Sequence, residues 1–440
     1  MGNGVFFKNE LVLKQYFLII LYIEVLLFSF IGGFFNLYQI FLVMLLIFNL
    51  GRIFLGVFYP EIDFRVLAFL KREYLNNNEA KEVLDVLILF IIGTNITFLG
   101  SQFFKKRKVI LIKNKISKLM KKLFYLLLPF VSIKFFITIF YILKYGYIEL
   151  YSGKLDKMFN LKGTANVIEC LYIFLIYNSH SKKEYLKYTY LYIFFVLIPS
   201  IFTGQRGPGI VMILYSLYLY NELYGIKNKR KIFYGVFGIT FLIHFIGIYR
   251  SGKEIFITQI FDDFFKKLLY SQSVSLEVVN NLIKYKEQLV LENNIPYIFY
   301  YFSSTLDRIK NIFLRREFSL YERLEEYNYL GDKLTYFLSK EFYLAGGGTG
   351  SAIIAEIYDL ANSNLYFFFF YSILIFSFVF FLEKKKFDNL FWFYVAFYLL
   401  KGVFIAPRGN FLSEITKMLL NVIFIYGIYF FNSKFLKRKG

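Results

Sequence analysis

The chain is poor in the residues from which many soluble enzymes build their sites. Its 440 residues hold one cysteine, two histidines, one tryptophan and six prolines, and only 19% of them are charged. With Cys170 alone, neither an intrachain disulfide nor a multi-cysteine metal site can form. His180 and His244 stand too far apart for HExxH or any similar ligand spacing. No metal and no cofactor is therefore expected. The few charges are clustered, which excludes a soluble globular enzyme and a disordered chain. The first apolar segment is not followed by a small-residue cleavage pattern, so no cleavable signal peptide is expected.

Apolar residues fill the space. The chain is 58% hydrophobic and 22% aromatic, with mean hydropathy +0.51. Runs of about 18 residues or more recur, long enough to cross a hydrocarbon core ~30 Å thick. Continuous runs also exclude an outer-membrane barrel, whose strands alternate over ~10 residues. The fold class is all-α, a polytopic transmembrane helical bundle. Candidate spans are 12–32, 36–58, 84–104, 123–144, 165–178, 187–203, 209–225, 232–249, 365–382, 388–406 and 411–432, eleven in a range of ten to twelve. No internal repeat is evident.

The net charge of +21 would suggest nucleic acid in a soluble protein. Here the basic residues lie between spans, where they set orientation and meet anionic headgroups, so no nucleic-acid partner is expected. Residues 105–122 carry nine Lys/Arg and no acid; 179–187, 227–231, 383–386 and the tail 434–440 are also basic. All five loops fall on one side if the spans alternate, and the positive-inside rule makes that side the cytoplasm. The opposite, external side then receives 145–164, 204–209, 250–364 and 406–410. This divides the chain into a 1–249 bundle of eight spans, a 250–364 external loop or cap with short helices, and a 365–440 section of three spans with a cytoplasmic C-terminus. Counting back places the N-terminus outside, unless residues 62–70, read as re-entrant or interfacial, also span.

Polar groups at the rim of a membrane call for a functional reading. Arg206 in TGQRGPG, Arg250 in IYRSGKE and Arg408 in APRGN each sit at the external end of a span, close to glycine. Arginine suits bidentate recognition of phosphate, and glycine lets backbone N–H groups approach an anion. The plain alternative is that each anchors a helix end to headgroups. In LAGGGTGSAIIAEIYDLAN, Gly346, Gly347, Gly348 and Gly350 precede Ser351, read as the N-cap of a short helix that carries Glu356 and Tyr358. A glycine run opening a helix suits an anion, although no GK[ST] follows. The alternative there is close helix packing. Glu24, Lys134 and Lys401 lie within spans and are expected to face the bundle interior. Glu61 and Asp63 form an ExD pair of the kind that holds a metal in some lipid-linked glycosyltransferases.

In these features the chain resembles the O-antigen polysaccharide polymerase (Wzy-type) family. The likeness rests on the many-span layout, GQRGPG, the YR opening the long loop, GTGSAIIAEIYDL before a late span, and PRGN between the last two spans. It departs from the Arg-x10-Gly pattern of some members, since Leu217 and Phe261 stand where glycine would fall. The resemblance implies a membrane glycosyltransferase of the bacterial inner membrane. Its partners would be undecaprenyl-diphosphate-linked oligosaccharide, membrane lipids and a chain-length regulator. On that reading Arg206, Arg250, Arg408, Gly348, Gly350 and Ser351 bind diphosphate. Gln205, Gly207, Tyr249, Tyr358 and Asn410 support them, and Glu356 is the general base. A lipid-linked oligosaccharide flippase and an O-antigen ligase are the alternatives.

Overall fold

The computed structural model describes residues 2–67, 73–104, 117–145, 164–179, 181–198, 206–226, 238, 264–289, 295–305, 324 and 329–437. The helices in chain order begin with α1 (Gly2–Phe28), α2 (Leu37–Leu45) and, after a π-turn at Leu46–Leu50, α3 (Gly51–Phe58). Strands β1 (Val66–Leu67) and β2 (Glu73–Tyr74) follow, then α4 (Asn77–Gln102), α5 (Ser117–Tyr145), α6 (Thr164–Tyr177), α7 (Lys182–Tyr192) and α8 (Arg206–Tyr224). The long segment contributes α9 (Phe264–Gln272), α10 (Ser275–Tyr285), α11 (Tyr300–Ser303), α12 (Leu330–Leu338), α13 (Lys340–Leu344) and α14 (Ile353–Leu360). The chain ends with α15 (Leu365–Lys385), α16 (Leu390–Ile405) and α17 (Ile415–Lys437). Among the described residues, Glu10–Gly32, Leu37–Phe58, Asn77–Gln102, Lys118–Tyr141 and Leu365–Lys385 are long and apolar enough to cross a membrane. This is the all-α architecture that the apolar runs imply. The expected span at 232–249 lies outside the described residues.

The chain divides into two compact units, one of residues 1–105, 248–381 and 402–416, the other of 106–247, 382–401 and 417–440. In the first, local signals start the helices. Asn36 and Gln39 form a capping box at α2, and Asn76 and Glu79 form another at α4, each satisfying backbone N–H groups that the first turn leaves free. Aromatic rings fill the space between these helices. Tyr38 stacks on Phe98 at 4.6 Å, Phe41 packs on Phe376 at 4.9 Å, and Phe90 meets Phe376 edge-on at 5.6 Å. Two buried tyrosine hydroxyls among these helices keep partners: Tyr38 pairs with Thr94 at 3.0 Å, and Tyr22 donates to the Leu42 carbonyl at 2.9 Å.

Residues 62–70 do not span. β1 pairs antiparallel with β2, so the chain turns back between α3 and α4. In the 250–364 segment, expected to carry short helices, α9 and α10 form and are separated at Ser273. That serine donates to the Leu269 carbonyl at 2.6 Å and the Ile47 carbonyl at 2.9 Å, and an added Cβ on Gly51 would collide with its Oγ. The α9–α10 pair therefore packs onto the π-turn. Its polar edge binds the hairpin region: Lys266 pairs with Glu61 at 2.9 Å, Lys284 with Glu73 at 2.7 Å, and Asn280 donates to the Phe64 carbonyl at 3.0 Å. Glu24, expected to face inward, is exposed on α1.

In the second unit, Tyr172 stacks on Tyr192 at 4.3 Å and its hydroxyl meets Ser216 at 2.9 Å. Lys401 does face inward, pairing with Glu169 at 2.6 Å. Of the other expected inward charge, Lys134, the side chain lies outside the described residues.

The docking of α9–α10 on the hairpin places two regions, each expected outside from the basic-loop count, on one face. In a Cys170→Ala background, Ser271→Cys should label with a membrane-impermeant thiol reagent in intact spheroplasts, and Lys183→Cys should stay protected. Ser271 and Lys183 are both exposed, so accessibility within the protein does not decide the outcome. The reverse pattern would invert the assigned faces.

Candidate functional site

The described part of the site lies within the first unit, where the segment 344–362 meets the loop 406–410. Glycine makes the approach feasible. Gly346 and Gly350 adopt φ of +84° and +76°, which favours residues without a Cβ. An added Cβ on Gly331 would lie 2.7 Å from the Gly350 carbonyl oxygen, so the first turn of α12 packs directly on this backbone. Thr349 N–H donates to Thr335 Oγ1 at 2.9 Å. Across from it, an added Cβ on Gly402 would lie 2.5 Å from the Phe411 carbonyl oxygen, which lets the PRGN loop fold back on the end of α16. Ile353 N–H then donates to the Ala406 carbonyl at 2.8 Å, tying the two segments together.

Glu356 lies at the centre of this junction. It is fully buried, and its Oε1 accepts from Ser351 Oγ at 2.6 Å and from Asn410 Nδ2 at 2.8 Å. Its Oε2 is buried without a hydrogen-bond partner among the described residues. Burial pushes its carboxyl up to about 8, against the pull of the Ser351 and Asn410 hydrogen bonds. At neutral pH the carboxyl is therefore mostly protonated and reached by no solvent, which counts against a general base. Ser351 is not the N-cap. The cap position is Ala352, without a side-chain cap bond, because the Ser351 hydroxyl is committed to Glu356.

The surroundings hold this centre in place. Asn410 Oδ1 accepts from Leu412 N–H at 2.7 Å, and its Nδ2 also reaches the Tyr297 carbonyl at 3.5 Å. Tyr297 N–H donates to Asp359 Oδ2 at 3.1 Å, and burial raises Asp359 to about 6. Tyr358 is buried too. Its hydroxyl donates to Glu82 Oε1 and accepts from Lys286 Nζ at 3.5 Å, which pins α14 to α4.

Arg408 is different. It is exposed, its Nη1 donates to Gln272 Oε1 at 2.8 Å, and its guanidinium lies 5.3 Å from the centre of the Phe48 ring. Among the described residues it has no acidic partner. Its carbonyl oxygen would lie 3.4 Å from an added Cβ on Gly350, so the glycine run abuts it. Nothing lies within 4 Å of a Cβ added to Gly348.

The remaining expected residues fall largely outside the described ones. Arg206 opens α8 in the second unit, with Gly207 exposed in its first turn; the Arg206 side chain lies outside the described residues. Gln205, Tyr249 and Arg250 also lie outside them. Glu61 and Asp63 are both claimed by cations, Glu61 by Lys266 and Asp63 by Arg65 at 2.6 Å. Each carboxylate of the ExD pair thus has a cationic partner within the protein.

Sequence reasoning missed Arg52. It is buried, pairs with Glu277, donates from Nε to the Tyr270 carbonyl at 3.3 Å and lies 4.7 Å from the Tyr270 ring centre. Removing one partner of such a pair strands a buried charge, at a cost of about 3–5 kcal/mol. A charged residue inside the 36–58 span was the available signal.

Long apolar helices define an integral membrane protein, and within its first unit the segment 344–362 and the loop 406–410 enclose a buried carboxyl beside an exposed arginine. The family model for O-antigen polysaccharide polymerase Wzy matches residues 3–439, and the chain belongs to that family. It is thus a polymerase of O-antigen repeat units, acting on lipid-linked oligosaccharide in a membrane. No match was found among curated proteins or among solved structures.

A protonated, hydrogen-bonded Glu356 and an ionised base differ in their response to substitution. Glu356→Gln, a neutral isostere, should accumulate normally and keep most polymer. Glu356→Ala should lose it, because Ser351 and Asn410 are left unpaired at about 1–3 kcal/mol. The raised value also sets the sign of the pH effect. The carboxyl's contribution to stability is fully present below its ordinary 4.5 and is lost as pH rises through about 8. The melting temperature of the wild type should therefore fall relative to Glu356→Gln between pH 5 and pH 8. Loss of polymer in Glu356→Gln with a parallel pH response of both proteins would restore the base assignment.

Proposed function

We propose that the polymerase joins repeats by glycosyl transfer from a lipid-diphosphate donor, with Arg408 binding the diphosphate at the external face. An acceptor sugar hydroxyl attacks the anomeric carbon of the donor. The bond from that carbon to the diphosphate oxygen breaks, and the lipid diphosphate leaves with the electron pair. The hydroxyl proton passes to the departing phosphate or to water.

The observation that carries this reading is the state of Arg408. A guanidinium on a glycine-lined loop, bound to a neutral amide and to no acid among the described residues, keeps its charge available for a developing anion. Glu356 enters as a positioning residue. Through Asn410 it fixes the loop that carries Arg408, and through Ser351 it fixes the glycine run beside it. Gly348 and Gly350 offer backbone to the same anion. Arg206 and Arg250, with Gln205, Gly207 and Tyr249 beside them, are proposed as further diphosphate ligands from their sequence context. A cytoplasmic C-terminus follows from the basic loops, and a chain-length regulator is the proposed protein partner.

Purified protein in liposomes, supplied with its lipid-linked repeats, should extend chains visible as a ladder on a gel. Arg408→Ala should lower the rate by roughly 10²–10³-fold, the scale seen when one charge-stabilising donor is removed. Arg408→Lys should recover little of it, because a point charge lacks the fork. A wild-type ladder from Arg408→Ala would remove Arg408 from the site.

A further inference from the structure

We propose that Gln272 is a direct ligand of the diphosphate and that Phe48 is the platform which orients Arg408 toward it. The proposal rests on the reading of Arg408 given above.

An arginine side chain only donates, so the Gln272 atom facing Nη1 is the amide oxygen. That fixes the amide. Its oxygen is occupied by Arg408, and the adjacent nitrogen is left with two N–H donors. Arg408 has used one of its five N–H donors on Gln272, and the others have no acceptor among the described residues. Phe48 restrains the guanidinium from its face, as expected for a cation–π contact at 5.3 Å. The two residues present unused N–H donors side by side, which match the oxygens of a diphosphate.

The position of Gln272 is itself held. It is the last residue of α9, and Ser273 next to it is fixed by its hydrogen bonds to the Leu269 and Ile47 carbonyls. Ile47 and Phe48 belong to the same π-turn, so the anchor of Gln272 and the platform of Arg408 share one element. Two arginines then meet the end of α9 in contrasting states. Arg52 binds the Tyr270 carbonyl and is neutralised by Glu277, whereas Arg408 binds an uncharged amide two residues later. A carboxylate at 272 would give Arg408 the same neutralisation and would set a negative charge against the substrate.

The test is steady-state kinetics of purified variants in liposomes with lipid-linked repeats. Gln272→Glu should raise KM by roughly tenfold or more, with a smaller change in kcat, because the new charge opposes ground-state binding of the diphosphate. Gln272→Leu, which keeps bulk and removes the donors, should raise KM by a smaller factor. In an Arg408→Lys background the effect of Gln272→Leu should shrink, since residues acting on one ligand are not additive. Phe48→Leu should likewise weaken binding. A wild-type KM in both Gln272 variants, with Arg408→Ala impaired, would overturn this inference and leave the diphosphate assignment standing. Wild-type kinetics in Arg408→Ala would overturn both. If Gln272→Glu does not accumulate, Gln272→Leu decides alone: an unchanged KM refutes the ligand role.

Discussion

A buried carboxyl bonded to two separate segments is the constraint on which the site depends. Glu356 accepts from Ser351, five residues earlier, and from Asn410, which comes after two more helices. The glycine run and the PRGN loop have few apolar side chains of their own to bury. Backbone contacts bring them together, and those contacts have little sequence-specific energy. A fully buried acid that keeps its proton converts the pair into a fixed arrangement, because separating them would leave Ser351, Asn410 and the acid without partners in an apolar surround. The desolvation that raises Glu356 to about 8 is the same desolvation that makes its hydrogen bonds strong.

The helices were legible because a membrane imposes a simple rule. A run of apolar residues of the right length must close its own hydrogen bonds, so composition alone dictates helix. The runs at 36–58 and 365–382 match α2–α3 and α15 to within a few residues. What lies between the runs obeys no such rule. Residues 62–70 are apolar enough to suggest a re-entrant or interfacial segment, and spacing gave no sign that Val66–Leu67 would pair with Glu73–Tyr74. Sequence showed an acid on α14 but not its burial, and Ser351 has the composition of a cap although its hydroxyl serves Glu356. The partners of these residues lie far along the chain, so spacing could not reveal them.

Arg52 and Arg408 show how similar residues are given different tasks. Each lies beside an aromatic ring, and each bonds to the end of α9. Arg52 is enclosed and paired with Glu277, an arrangement that holds α3 against α9 and α10. Had Arg408 been paired in the same way, its charge would be satisfied within the protein and would have little left for a ligand. The sequence context separates them only weakly. One arginine interrupts an apolar run and the other follows a proline, but the choice between neutralised and available depends on whether residue 277 or residue 272 carries an acid.

The cost of charge in a membrane explains why that choice matters. Elsewhere buried charges in this chain are matched, as Lys401 is by Glu169 and Lys386 by Glu222 at 3.2 Å. Pairing is the usual answer to desolvation, because an isolated ion in a low-dielectric surround is far more costly than a bonded pair. Arg408 avoids that penalty by another route. The residue is exposed at the surface although desolvation around its guanidinium lowers its pKa; an amide takes one N–H, and an aromatic face offers a weak electrostatic contact in place of a counter-ion. A ligand that brings its own negative charge then completes the pairing that the fold withholds. Binding such a lipid diphosphate requires no bond at Arg408 to break. The amide can keep its oxygen on the arginine while its nitrogen turns to the phosphate, so the site is organised before the substrate arrives.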